Sequence, residues 1–241
     1  MWTRWEIKGK AKKMLGENYG NCVIAALILH FFGILSNIEK IQRKLTGTTR
    51  ADSSFYNTLK EMFSNNGTSA NIIGILVLIV IVSILLDVYF FNPLYFGCRS
   101  FAFYNLKYRG YLSELGAGFG KNYKNIVKVL FICKLQIFLW SLVLLVPGII
   151  KAYEYRMVPY ILVENPEISW EELQKESKRL MDGNKWDSFV LDLSFIGWEI
   201  LSSVTLGIAG VFFVNPYRMM TDAALYEKIS ELRPRQVEEM A

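Results

Sequence analysis

The chain has 241 residues, of which 52% are hydrophobic, 15% aromatic and 20% charged, with a formal net charge of +5. So large a charged share excludes one continuous oily bundle, and so large an apolar share excludes a disordered, solvating chain. The mixture fits apolar helical spans alternating with charged surface segments.

A basic leader opens the chain, with Arg4, Lys8, Lys10, Lys12 and Lys13 ahead of the first apolar run. Residues 2–15 are expected to form an amphipathic surface helix with Trp2 and Trp5 as interface anchors. The leader passes into Gly16-Glu-Asn-Tyr-Gly-Asn21, and this entry pattern returns as Gly120-Lys-Asn-Tyr-Lys-Asn125 and as Gly183-Asn-Lys-Trp186. A glycine that ends one helix, followed by an Asn and aromatic pair, suits a chain turning from the surface into a bilayer. Each unit later reaches a proline with tyrosine close behind, at Pro93-Leu-Tyr95, Pro159-Tyr160 and Pro216-Tyr217. The chain therefore reads as a single membrane domain of three pseudo-repeats, about 1–106, 107–165 and 166–230, with a short tail at 231–241.

The predicted fold class is all-α, a polytopic membrane helical bundle with spans near 21–36, 71–92, 125–146, 148–163, 187–204 and 206–226. Residues 72–91 make the case most clearly, because Asp87 is their only charge and a helix of about 20 residues crosses roughly 30 Å of hydrocarbon. The six spans pair as three helical hairpins, with tight turns expected at Pro147-Gly148 and Leu206-Gly207. No small-x-small cleavage site follows the first run before Asn37, so that run reads as a retained span. In the long loop 37–71, Phe55, Leu59, Met62 and Phe63 share one helical face, as in a short helix lying on a membrane. Pro93 and Pro216 each follow an asparagine inside an otherwise helical pattern. Both are expected to kink their helices, with neighbouring helices or Asn92 and Asn215 able to satisfy the freed carbonyls.

Lys and Arg cluster before the first span, between the hairpins and after the last span, while the two tight turns carry none. By the positive-inside rule both termini are expected in the cytoplasm, although the loop 37–71 also carries Lys40, Arg43, Lys44, Arg50 and Lys60. Between the second and third hairpins, Ser169-Trp-Glu-Glu172 has the capping-box form. Trp170, Leu173, Ser177, Leu180 and Met181 then line one face of an amphipathic connecting helix on the cytoplasmic surface. Cys22, Cys98 and Cys133 have no CxxC spacing and read as small apolar packing residues.

Ionisable residues inside spans are costly and mark candidate sites. Asp87, Lys134, Asp192 and Glu199 form the candidate intramembrane polar site, with Lys134 placed to pair with one of the three acids. Glu154, Arg156, Arg218 and Asp222 are candidate charges near the inner face. They are read either as a polar seam for an ion or anionic headgroup, or as salt bridges that fix helix register. His30 is the only histidine, which removes zinc triads and Ser-His-Asp sets, and no phosphate loop or dinucleotide fingerprint is present. Gly116-Ala-Gly-Phe-Gly120 follows no strand and reads as a flexible helix entry. No catalytic residue, metal site or cofactor is assigned.

Several of these stretches, taken in order, resemble one family. Val146-Pro-Gly-Ile-Ile-Lys-Ala-Tyr153, Val158-Pro-Tyr-Ile161, Glu164-Asn-Pro-Glu-Ile168, Leu180-Met-Asp-Gly-Asn-Lys-Trp186, Leu193-Ser-Phe-Ile-Gly-Trp198 and Asn215-Pro-Tyr217 are similar to the bacterial integral-membrane family known as domain of unknown function 975. The resemblance implies a multi-pass protein of the cytoplasmic membrane, typical of Gram-positive bacteria, with no assigned activity. The functional expectation is a non-enzymatic envelope accessory, scaffold or amphiphile-handling protein, with a small transporter or channel using the intramembrane charges as the alternative. Membrane lipids, a membrane-protein partner or a second copy of the chain are the expected partners, and nucleic acid is not.

Overall fold

A computed structural model describes residues 2–28, 77–79, 81–205 and 207–233 of the chain. They belong to two compact units, Met1–His30 with Asn92–Ala241, and Phe31–Phe91. Among the described residues every regular element is helical. The helix expected in the loop 37–71, and His30, lie outside the described residues.

In the larger unit, α1 spans Arg4–Glu17 and starts at Thr3, whose hydroxyl accepts from the Glu6 N–H. Its Ile7 and Ala11 are buried against α10, Asn215–Leu232. Trp2 does not serve as an interface anchor. It is buried, and its indole donates to Asn184 Oδ1 at 2.9 Å, while Trp5 is 88% exposed. The short helix α2 covers Tyr19–Ile28 and α3 covers Asn92–Lys107. A 3-10 helix, Leu112–Phe119, lies directly on α3 because two glycines remove the side chains between them. A Cβ on Gly97 would stand 2.0 Å from the Leu115 carbonyl oxygen, and one on Gly118 would stand 2.0 Å from that of Pro93. The glycine-rich stretch before Gly120 is thus a packing surface and not a flexible entry.

Helix α4, Tyr123–Val143, buries Ile126, Val127, Val129, Leu130 and Cys133 in its first half only. The chain turns at Leu144, which is extended, and α5, Leu145–Glu154, folds back along α4. The tight turn therefore falls three residues before the expected Pro147-Gly148. Pro147 instead occupies the first turn of α5, where its missing N–H breaks no helical bond. Gly148 faces α4 so closely that a Cβ would meet Ser141 Oγ at 2.2 Å. The later hairpin repeats the device, with Gly210 against Ser202 Oγ at 2.2 Å and the turn passing through Gly207 at φ 89°.

The expectation of six spans is not supported among the described residues, and two of the expected stretches are divided. The stretch 148–163 divides into α5 and α6, Val158–Glu164, because Pro159 in the first turn of α6 cannot donate back into α5. The stretch 187–204 divides into α8, Lys185–Leu193, and α9, Ile196–Val204, where the Ser194 hydroxyl bonds the Leu191 carbonyl and Phe195 N–H bonds Asp192. Among the described residues two helices, Val77–Lys107 and Tyr123–Val143, are long and apolar enough to cross a membrane.

Both Asn-Pro pairs are preceded by a single π-helical turn, Asp87–Phe91 before Pro93 and Gly210–Val214 before Pro216. The widened turn makes room for a ring that would otherwise strike the carbonyl four residues back. Asn215 N–H accordingly donates to the carbonyl of Gly210, five residues earlier. The asparagine side chains do not satisfy the freed carbonyls, since Asn92 Oδ1 and Nδ2 and Asn215 Nδ2 have no hydrogen-bond partner.

The connecting helix α7, Trp170–Met181, has the expected cap and face. Ser169 Oγ accepts from Glu172 N–H, and Trp170, Leu173, Ser177, Leu180 and Met181 are its buried residues. They join α3, α6 and α10 in one core, at whose centre Tyr160 and Tyr226 stack 5.3 Å apart. Asparagines of all three entry patterns clamp backbone: Asn18 donates to Gly110, Asn125 to Pro166 and Ile168, and Asn184 to Leu180. In the smaller unit the described residues form a helix whose Val77, Leu78, Ile81, Val82, Ile84 and Leu85 are all exposed.

Candidate functional site

Three arginines and three carboxylates from five segments form one connected network. Asp222 lies on α10 one turn beyond Arg218, so both point to one side of that helix. Arg99 Nη1 approaches Asp222 Oδ2 at 2.8 Å, and Arg156 Nη2 approaches Asp222 Oδ1 at 2.6 Å. Asp222 is therefore held between two guanidinium groups. Arg156 also grips Asp192 with both nitrogens, at 2.8 and 2.9 Å, in the planar two-bond geometry that carboxylates favour. Arg218 then reaches Asp192 at 3.9 Å and Glu199 at 3.2 Å. Tyr160 accepts from Arg99 at 2.9 Å, and the Tyr153 hydroxyl donates to Asp192 at 2.8 Å. Arg156 sits in the break between α5 and α6, and Asp192 sits just before the break between α8 and α9. The interruptions that spoil two continuous spans are what bring these charges together.

The two sets of charges expected from sequence are redistributed. Asp192 and Glu199, expected deep, join Arg156, Arg218 and Asp222, expected at the inner face. Asp192 binds Arg156 and Arg218, and Glu199 binds Arg218. Glu154 stands in a separate cluster, accepting from Lys151 and Lys185 at 2.6 Å each. Asp87 lies in the π-helical turn of the smaller unit and is half-buried. Arg99 was absent from the expected set, yet it carried a signal: it is the only charged residue in the run 92–106.

Two cavities meet at this network. The first, of about 250 Å³, is lined by Asn92, Arg99, Lys134, Arg156, Tyr160 and Asp222 among others. The second, of about 380 Å³, shares Arg99, Arg156 and Asp222 and adds Tyr153, Asp192 and Arg218. Lys134 reaches the first cavity from α4 on the same stripe as Leu130, Cys133 and Ile137. Among the described residues no group of three or more His, Cys, Asp or Glu side chains is arranged to hold a metal ion.

A family model described as protein of unknown function, DUF975, matches residues 56–233, a stretch that contains the entire network. The chain belongs to the DUF975 family. No curated protein and no solved structure matches it. In this DUF975 member, the match includes both Asn-Pro pairs, both glycine-on-serine hairpin contacts and α7.

Proposed function

We propose that this DUF975 protein is a multi-pass protein of the bacterial cytoplasmic membrane, without enzymatic activity, that handles amphiphiles or supports other envelope components. The observation that carries this reading is the outward apolar surface of the hairpin arms. Phe138, Leu142, Val143, Val146, Ile200, Val204, Ile208 and Phe213 are all exposed. Soluble monomers rarely leave contiguous apolar patches larger than a few hundred Å² facing water. Helix α4, with 21 residues, is roughly 31 Å long, matched to a hydrocarbon layer of roughly 30 Å. In this reading three hairpins supply six crossings, two of them made of paired short helices whose breaks are covered by protein. Both termini and the amphipathic α7 lie on the cytoplasmic side. Lipids and a membrane-protein partner, or a second copy, are the partners it implies. Fractionation tests the reading: the full chain should stay with membranes after alkaline carbonate washing and need detergent for release. Recovery as a folded monomer in detergent-free buffer would overturn it.

One observation favours a second reading, a small transporter. The two cavities share the Arg99–Asp222–Arg156 cluster in their linings, and paired charges between adjoining cavities suit a transport path. Reconstituted flux that is lost in Asp222→Asn and Asp192→Asn, with folding retained, would support it over the accessory role.

A further inference from the structure

We infer that Lys151, Lys178 and Lys185, gathered around the carboxylate of Glu154, form a binding site for the phosphate head group of an anionic membrane lipid. The inference rests on the membrane reading above for the source of the ligand, and on the cluster for its chemistry.

Three helices bring the cluster together. Lys151 and Glu154 stand one turn apart at the end of α5, Lys178 lies on α7 and Lys185 opens α8. Two side chains fix α7 against the end of α5. Ser177 Oγ donates to the Glu154 carbonyl at 2.6 Å, and Gln174 Nε2 donates to the Tyr155 hydroxyl at 2.6 Å. Lys178 follows Ser177 and stands one turn beyond Gln174, which sets its side chain against that of Lys151.

The charges in this cluster do not balance. Lys151 Nζ donates to Glu154 Oε2 and Lys185 Nζ donates to Oε1, at 2.6 Å each, so both carboxylate oxygens are engaged. Of the neighbouring acids, Glu176 is held by Arg179 and Asp192 by Arg156, while Asp182 and Asp187 make no ion pair with any of the three lysines. Among the described residues Lys178 therefore meets another ammonium group and no carboxylate. An ammonium carries three N–H donors, and Lys151 and Lys185 each use one on Glu154. Like charges held this close repel unless a further anion joins them, and a phosphate presents several strong acceptor oxygens to donors arriving from different helices. The side chains of Lys151 and Lys185 are 20% and 35% exposed, which keeps the cluster open to a ligand from outside.

The surroundings point to a lipid as the carrier of that phosphate. Lys151 Nζ lies 5.5 Å from the centre of the Trp140 ring, and Trp186, beside Lys185, packs 5.4 Å from Phe189. Both tryptophans are exposed. Tryptophan favours the level where head groups meet acyl chains, and basic pockets between helices on the cytoplasmic side hold anionic head groups. On α5, Val146, Ile149 and Ile150 lead up to Lys151 and are exposed, so an acyl chain attached to the phosphate has an apolar surface to follow.

The full-length protein in a non-ionic maltoside detergent provides the test, with phosphatidylglycerol, phosphatidylcholine and glycerol phosphate as probes. Phosphatidylglycerol should bind and raise the melting temperature, and phosphatidylcholine, whose head group carries its own cation, should bind roughly ten-fold more weakly. Lys178→Gln should weaken phosphatidylglycerol binding about five-fold, the effect of one basic residue facing an anionic lipid surface. Without lipid it should melt at or above the wild-type temperature, because it breaks no ion pair and relieves a repulsion. Lys12→Gln, which removes the same charge from the exposed side of α1, should bind as wild type. Should Lys178→Gln fail to fold, Lys185→Gln should show the same weakening. Glycerol phosphate binding as tightly as phosphatidylglycerol would overturn the lipid as the source. Equal binding of phosphatidylcholine, undiminished binding by the lysine variants of the cluster, or an equal loss in Lys12→Gln would overturn the site. A protein that needs detergent yet binds no phosphatidylglycerol would overturn the site alone and leave the membrane reading standing.

Discussion

The hairpin arms and the body of the larger unit are built from the same residue types in opposite surroundings. In the body, Leu162, Leu173, Leu180 and Leu225 are wholly buried beneath charged outer faces. In the arms, Leu139, Leu142, Leu201 and Val204 stand exposed. A leucine in the body is stabilised by being withdrawn from water, whereas a leucine in the arms gains only if its surroundings are already apolar. The charges adjoin the core: the Arg99–Asp222–Arg156 cluster meets the buried Tyr160. One fold thus contains a buried core and an exposed apolar extension, with a network of paired charges in the same unit.

The largest effect should come from breaking that network. Asp222→Ala leaves Arg99 and Arg156 facing each other without the carboxylate between them. It should cost about 3–5 kcal/mol, the range for removing one member of a buried ion pair, read from thermal or denaturant unfolding in micelles. Next comes the contrast of leucines. Leu162→Ala in the body should cost about 2–5 kcal/mol by leaving a cavity, while Leu142→Ala in the arm should change stability by less than about 0.5 kcal/mol. Equal losses at both positions would erase the distinction between the regions.

Glycines sharpen it further. Gly148→Ala places a methyl 2.7 Å from the Ser141 Cα, a backbone atom that cannot swing aside, and should cost about 1–3 kcal/mol. Gly9→Ala, inside α1 with open space around it, should stabilise by about 0.5–1 kcal/mol. The smallest effect belongs to the surface pair of Glu6 and Lys228. The hydrogen bond from Lys228 holds the Glu6 carboxyl below its ordinary value of about 4.5. Its contribution is therefore present above that pH and fades as the pH falls through the lowered value. Because Glu6 is fully exposed the effect is small: Glu6→Gln should lower melting slightly at neutral pH and match the wild type once the pH falls below the lowered value.

Local chemistry was legible in the sequence where the signal was local. Ser169 and Glu172 mark the start of α7, spacing marks its buried face, and each Asn-Pro pair marks a distortion that takes the form of a π turn. Five of the six network residues stood out as charges in apolar runs. Their pairing did not, because it depends on where helices break and how neighbours are rotated, and both are tertiary outcomes. Pro147 looked like a turn residue and lies inside a helix, since the backbone turns at Leu144 as soon as Gly148 meets Ser141. Trp2 looked like an interface anchor and is buried, because Asn184 offers its indole a partner from a distant entry pattern. Asn92 resembled a local backbone cap, and its buried amide has no hydrogen-bond partner.

The most direct test uses the chain's own tryptophans, with single-Trp proteins retaining Trp140 or Trp198 in the arms, or Trp170 in the body. In vesicles containing lipid brominated along the acyl chain, Trp140 and Trp198 should be quenched and Trp170, only 8% exposed, should not. If bromolipid leaves Trp140 and Trp198 untouched while aqueous acrylamide quenches them, the arms stand in water and the lipid-facing reading is wrong.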